Sequence, residues 1–118
     1  MTKGNCLIKE CPSRSVLERL SNKWVIMIIY LLSKKPLRFN RLKESVDGIS
    51  QKVLTSNLKK LEADGIINRK VYDERTLRVE YSITPLGLEL KVILNSIKKW
   101  AEKNWKTVSR NKEKYDID

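Results

Sequence analysis

Apolar positions along the chain follow a helical period first. Val16, Leu17 and Leu20 recur at i, i+1 and i+4 and predict a short amphipathic helix over residues 13–20, with Pro12 suited to its first turn. Residues 23–33, KWVIMIIYLLS, are apolar nearly all the way round. Such a stretch predicts a helix buried on all sides, the centre of the core. Its Val and Ile content also suits a strand, but its length and flanking helical signals favour the helix. Ser21-Asn22 breaks it from the first helix, and either residue can cap it. Residues 38–46 place Phe39, Leu42 and Val46 on one face, with Arg41 and Lys43 outside, and Gly48 suits the position just past a helix end. Ser50 then opens a capped helix over residues 50–64 that Gly65 stops. At 100° per residue, Leu54, Asn57, Leu58 and Leu61 share its inward side with Ser50.

The period changes to two after Gly65. Val79, Tyr81 and Ile83 alternate with Arg78, Glu80 and Ser82 without error, which predicts a strand. Residues 66–72 are less regular but supply its partner, and Asp73-Glu74-Arg75 is the tip between them. Thr84-Pro85 opens a last long helix. There Leu86, Leu90, Ile93, Ile97 and Trp100 form one stripe, and Leu94, Ala101, Trp105 and Val108 form a second. Two stripes exceed what one small domain needs from a single helix, so the second surface is expected to meet another subunit; packing onto the chain's own core is the plainer alternative. The reading is mainly α with a small β-hairpin: a winged helix-turn-helix over residues 13–108, dimerising through its first and last helices. Residues 1–12 form an arm and residues 109–118 a flexible tail.

Charge adds a partner to this layout. Lys and Arg outnumber Asp and Glu by 25 to 14, a net charge of +11 that favours polyanions. Residues 1–59 hold 12 basic and 4 acidic side chains, against 13 and 10 in residues 60–118. The outward face of the 50–64 helix carries Gln51, Lys52, Thr55, Ser56 and Lys59, with no carboxylate before Glu62. Amide and hydroxyl groups can bond base edges, and ammonium groups can bond guanine or phosphate. An ordinary solvated face would also be polar; the preceding turn and following hairpin tip the balance to DNA. Arg69, Lys70, Arg75 and Arg78 surround the wing tip, where a wing meets phosphate or the minor groove. Arg69, Arg75 and Arg78 of the wing, with Arg38 and Ser50, complete the expected DNA-contact set.

Other functions find little support. The first ten residues lack the apolar core of a secretion signal, and residues 25–32 are too short to span a bilayer, so a cytoplasmic protein without membrane contact is expected. The chain has no His, no facing carboxylate cluster and no Gly-rich phosphate loop, which argues against an enzyme. Neither a metal nor a cofactor is expected, since two thiols cannot complete a four-ligand zinc site within one chain.

The ordered fragments Cys11-Pro12, Lys23-Trp24, Arg38-Phe39-Asn-Arg-Leu42, Gly48-Ile49-Ser50, Leu54-Thr-Ser-Asn-Leu58-Lys-Lys-Leu61-Glu62, Asp64-Gly65-Ile66, Val79-Glu80-Tyr81 and Thr84-Pro85-Leu86-Gly87 resemble the HxlR-type family of winged-helix transcription regulators. The resemblance runs from Cys11 to Trp100. It implies a homodimer, commonly a repressor, that binds inverted-repeat double-stranded operators with the 50–64 helix in the major groove. It also implies a dimer seam built from the first and last helices, here Val16, Leu20, Leu86, Leu90, Ile93, Leu94, Ile97, Trp100, Ala101 and Trp105. Many members sense oxidants or electrophiles through the cysteine beside the Pro, so the resemblance makes Cys11 the switch, responsive to a small-molecule or oxidant inducer. This chain departs from the family at two places. Ser21-Asn22 stands where Gly-Gly is usual, and Thr76-Leu77-Arg78 stands where a Pro usually precedes Val-Glu-Tyr.

Lys9, Arg14 and a nearby helix start would favour the Cys11 thiolate, and Cys6 is a candidate resolving partner if the arm bends. The plainer role for Cys11 is a small residue packed at the seam. The competing function is a winged-helix protein-interaction module without specific DNA binding, which would bind its partner with little salt dependence.

Overall fold

The chain folds around α2 (Lys23–Lys34), whose Val25, Ile28, Ile29 and Leu32 are all buried. In this computed structural model the described residues are 12–73, 75, 76 and 78–117. Asn22 caps α2: its side-chain oxygen accepts from the Trp24 N–H at 2.9 Å. The expectation of a helix buried all round is met on one side only. Met27 is 40% exposed, and Trp24, Ile26, Tyr30 and Leu31 are half-buried, because α1 (Pro12–Leu20) and α5 (Pro85–Ile117) leave part of α2 uncovered.

Around α2 stand α3 (Phe39–Ser45) and α4 (Gln51–Ala63), which contribute Leu42, Leu54, Leu58 and Leu61 to the core. Ser50 caps α4 as expected, its hydroxyl accepting from the Val53 N–H at 3.1 Å. Gly48 and Gly65 hold φ of 82° and 77°, the left-handed conformation that glycine adopts without a Cβ clash, at the turns before and after α4.

The hairpin is β2 (Ile67–Asp73) with β3 (Arg78–Ile83), paired Ile67 to Ile83 through Val71 to Val79, with an irregularity between Val71 and Asp73. A third strand joins it. β1 (Leu37–Arg38) lies antiparallel to β3, Leu37 opposite Tyr81 and Arg38 opposite Glu80, giving the sheet order β1-β3-β2. Arg38 was expected inside the third helix; it is extended instead, because Leu37 is held in the core and its backbone completes the free edge of β3.

Thr84 joins the sheet to α5. Its hydroxyl donates to the Gly65 and Ile66 carbonyls at 2.7 and 2.9 Å and accepts from the Gly87 N–H at 3.0 Å. The reading ended the last helix at Val108 and gave residues 109–118 to a flexible tail. The helix instead runs 33 residues to Ile117, since nothing in RNKEKYDI breaks it. Leu94 also departs from its expected place at a subunit seam: it is 4% exposed and belongs to the chain's own core. Cys6, Cys11 and most of the arm fall outside the described residues.

Candidate nucleic-acid interface

Inward Leu54, Leu58 and Leu61 fix the rotation of α4, and that rotation leaves Gln51, Lys52, Thr55, Ser56 and Lys59 together around one shallow depression on the outer surface. Four of the five are exposed and Thr55 is half-buried. No carboxylate lines the depression. Ser50 stands apart from it, its oxygen engaged in capping.

A second depression continues from α4 onto the sheet. Gln51, Thr55 and Lys59 share it with Arg69 of β2, Tyr81 of β3, Phe39 of α3 and Glu62. Arg69 and Tyr81 are register partners, so both project to the sheet face that meets α4. A third depression holds Arg38, Asn40, Arg41 and Glu44 with Phe39 and Val79. Phe39 lines both and connects them.

The wing basics divide between the two faces of the hairpin. Arg69 belongs with α4. Lys70 and Arg78 lie on the other face, where the Lys70 ammonium stands 4.7 Å and the Arg78 guanidinium 5.6 Å from the Tyr72 ring centre. The Tyr72 hydroxyl donates to Glu80 at 3.2 Å, which holds the ring between the two cations. At the tip, the Arg75 N–H donates to the Asp73 carboxylate at 2.9 Å, a local turn that leaves the Arg75 side chain exposed.

Phe39 packs against the core as expected and also lines the second and third depressions, while Asn40 and Arg41, which the sequence reading did not place at the interface, line the third. An aromatic flanked by Asn and Arg at a helix start was the available signal. Tyr72 was likewise read only as a strand former.

The residues assigned to the seam occupy a separate surface. Val16 and Leu20 of α1 and Leu86, Leu90 and Ile93 of α5 line a groove of about 410 Å³, with Arg19 and Asp64 also in its lining. Further along α5, Ile97, Trp100 and Trp105 are 57%, 62% and 65% exposed, with Ala101 exposed among them. Among the described residues no group of His, Cys, Asp and Glu is placed to hold a metal, and no helix is long and apolar enough to cross a membrane.

Comparison with known proteins agrees with this architecture. The HxlR-like helix-turn-helix model matches residues 19–109. The HTH-type transcriptional regulator YtfH of Escherichia coli (strain K12) is 36% identical over 104 residues, covering 88% of this chain and 82% of YtfH. The structure of YtfH from Salmonella typhimurium superposes with a TM-score of 0.80 at 35% identity, over 94% of this chain and 99% of that one. The redox regulator HypR in its reduced form gives a TM-score of 0.76 at 34% identity, over 84% of this chain and 98% of HypR. With its winged fold and a match spanning most of its length, the chain belongs to the HxlR-like helix-turn-helix family of transcriptional regulators.

Proposed function

We propose that this regulator acts as a homodimeric repressor in the cytoplasm, binding inverted-repeat double-stranded DNA with α4 in the major groove and the β2–β3 hairpin as its wing. The observation that carries this reading is the carboxylate-free surface of Gln51, Lys52, Thr55, Ser56 and Lys59, joined directly to Arg69. Its amide, hydroxyl and ammonium groups suit base edges and phosphates, and an α-helix fits the width of the major groove. Arg38, Arg75 and Arg78 are then phosphate contacts at the flanks. The exposed apolar length of α5, with the α1–α5 groove, is what a second copy would cover.

No enzymatic role is proposed. Cys11 is assigned the role of an oxidant- or electrophile-sensitive switch. That assignment rests on the family resemblance and on the likeness to HypR, itself a redox regulator.

Selection of bound duplexes from a random-sequence pool, followed by titration of the winner at several salt concentrations, tests the reading. An enriched inverted repeat and an affinity falling steeply with salt are expected. Binding without sequence enrichment, and nearly independent of salt, would favour the protein-interaction module instead.

A further inference from the structure

Asn57 lies on the reader helix and points the wrong way to touch DNA. It is 3% exposed, on the side of α4 opposite the contact surface, and both ends of its amide are used. Its oxygen accepts from the Asn22 side-chain nitrogen at 2.9 Å, and its nitrogen donates to the Val53 carbonyl at 2.9 Å. The oxygen of Asn22 in turn accepts from the Trp24 N–H at 2.9 Å. Two amides therefore form a continuous run from the backbone of α4 to the first turn of α2.

A second contact binds the far end of the same helix. The Arg19 guanidinium, in the last turn of α1, meets the carboxylate of Asp64, the C-cap of α4, with Nε–Oδ2 at 2.6 Å and Nη2–Oδ1 at 3.4 Å. Asn57 and Asp64 are seven residues apart, about 10 Å along the axis. Two attachments at that separation restrain the tilt of α4 as well as its rotation. The buried Asn57 amide adds direction that Leu54, Leu58 and Leu61 lack, because apolar packing tolerates small rotations and a part-buried hydrogen bond to the half-buried Asn22 tolerates them less. Both attachments come from one short segment, residues 19–22, which follows directly on the α1 side of the apolar groove.

We propose that Arg19 and Asn22 are positioning residues for DNA reading: they hold α4 at a set orientation relative to α1, and so fix the spacing at which two reader helices meet two half-sites. The inference rests on the DNA-binding reading above. A glycine at position 22 would have no side chain to make either bond.

Spacing preference provides the test. Wild type is used to select an inverted repeat from random duplexes, and affinities are then measured for that site, for versions with one base pair more or less between the half-sites, and for a single half-site. The variants are Asn22→Ser, which keeps an oxygen to cap α2 but loses the reach to Asn57, Arg19→Asp, and Arg19→Asp with Asp64→Arg.

Asn22→Ser and Arg19→Asp are expected to lower the preference for the selected spacing by about tenfold, within the usual size of coupling between sites. Half-site affinity should stay near wild type, the thermal midpoint of Asn22→Ser should fall only by the few degrees that one lost hydrogen bond implies, and the charge-swapped pair should recover the preference lost in Arg19→Asp. Unchanged spacing preference in both single variants, while wild type still selects an inverted repeat, overturns the positioning role and leaves the DNA reading intact. An equal loss at the single half-site also overturns it, since that is damage to the reader and not to its placement. Failure of wild type to enrich any sequence removes the DNA reading and this inference with it.

Discussion

The Thr84 hydroxyl stands 2.7 Å from the Gly65 carbonyl, fastening the start of α5 to the turn that ends α4. The same oxygen caps α5 by accepting from the Gly87 N–H, and it is almost fully buried. Thr84→Val keeps the volume and removes every one of these bonds. It should lower unfolding free energy by about 1–3 kcal/mol, because the Gly65 carbonyl and the Gly87 N–H lose their hydroxyl partner, while the Ile66 carbonyl keeps the Thr84 N–H. Urea unfolding measures the change, and Thr84→Ser should recover most of it.

Within the reader surface, side-chain chemistry separates two kinds of effect. Lys59→Ala should weaken binding similarly on all sequences and reduce the slope of log affinity against log salt by about 1, as for one phosphate contact. Gln51→Ala and Thr55→Ala should instead relax the selected sequence, with discrimination falling by about 1–3 kcal/mol at the affected base pair. Identical selected sites for wild type and both variants would remove these residues from base reading.

Leu61 is fully buried where α4 meets the core, and Leu61→Ala should destabilise the fold by about 2–5 kcal/mol through lost burial and a residual cavity. Val53, which is 36% exposed on the same helix, should tolerate alanine within about 1 kcal/mol. Equal losses at the two positions, read from denaturant midpoints, would contradict the observed rotation of α4.

The pair Ile97→Glu and Trp100→Glu places two carboxylates on the exposed stripe of α5 without touching a core residue. Sedimentation velocity should show a shift from dimer to monomer, accompanied by weaker operator binding. A dimer that survives both changes would place the seam elsewhere.

For the thiol switch, operator binding is titrated with diamide on wild type and on Cys11→Ser. Wild type should lose affinity as oxidant is added and the variant should resist. Matching curves would exclude Cys11.

How much of this was legible beforehand follows from what each signal depends on. Ser50, Gly48 and Gly65 announce the ends of α4 through local chemistry, and the strict alternation from Arg78 to Ile83 announces β3; both are properties of a few adjacent residues. Assigning Gln51, Lys52, Thr55, Ser56 and Lys59 to one outward surface needed only helical periodicity once Leu54 was taken as inward. What could not be read is long-range. Leu37–Arg38 is two residues long and becomes a strand only because β3 offers a free edge about forty positions later. Leu94 carries the same hydrophobic signal as Ile93, and only the placement of α5 against α2 decides that one is core and the other surface. The bond from Asn22 to Asn57 spans 35 positions, and no local pattern predicts it.

Past Leu94 none of the described residues of α5 is buried, yet the helix continues to Ile117. More than twenty residues therefore hold helical shape with little support from their own chain, although most helical stability in proteins comes from packing an amphipathic face against something else. A partner that covered Ile97, Trp100 and Trp105 would also add free energy that keeps those turns wound. If the cover is a second copy, helix content becomes a function of protein concentration. A cell holding few copies would then contain chains with a complete reader and a partly unwound rod, and gene dosage would act on this regulator's shape before it acted on any operator.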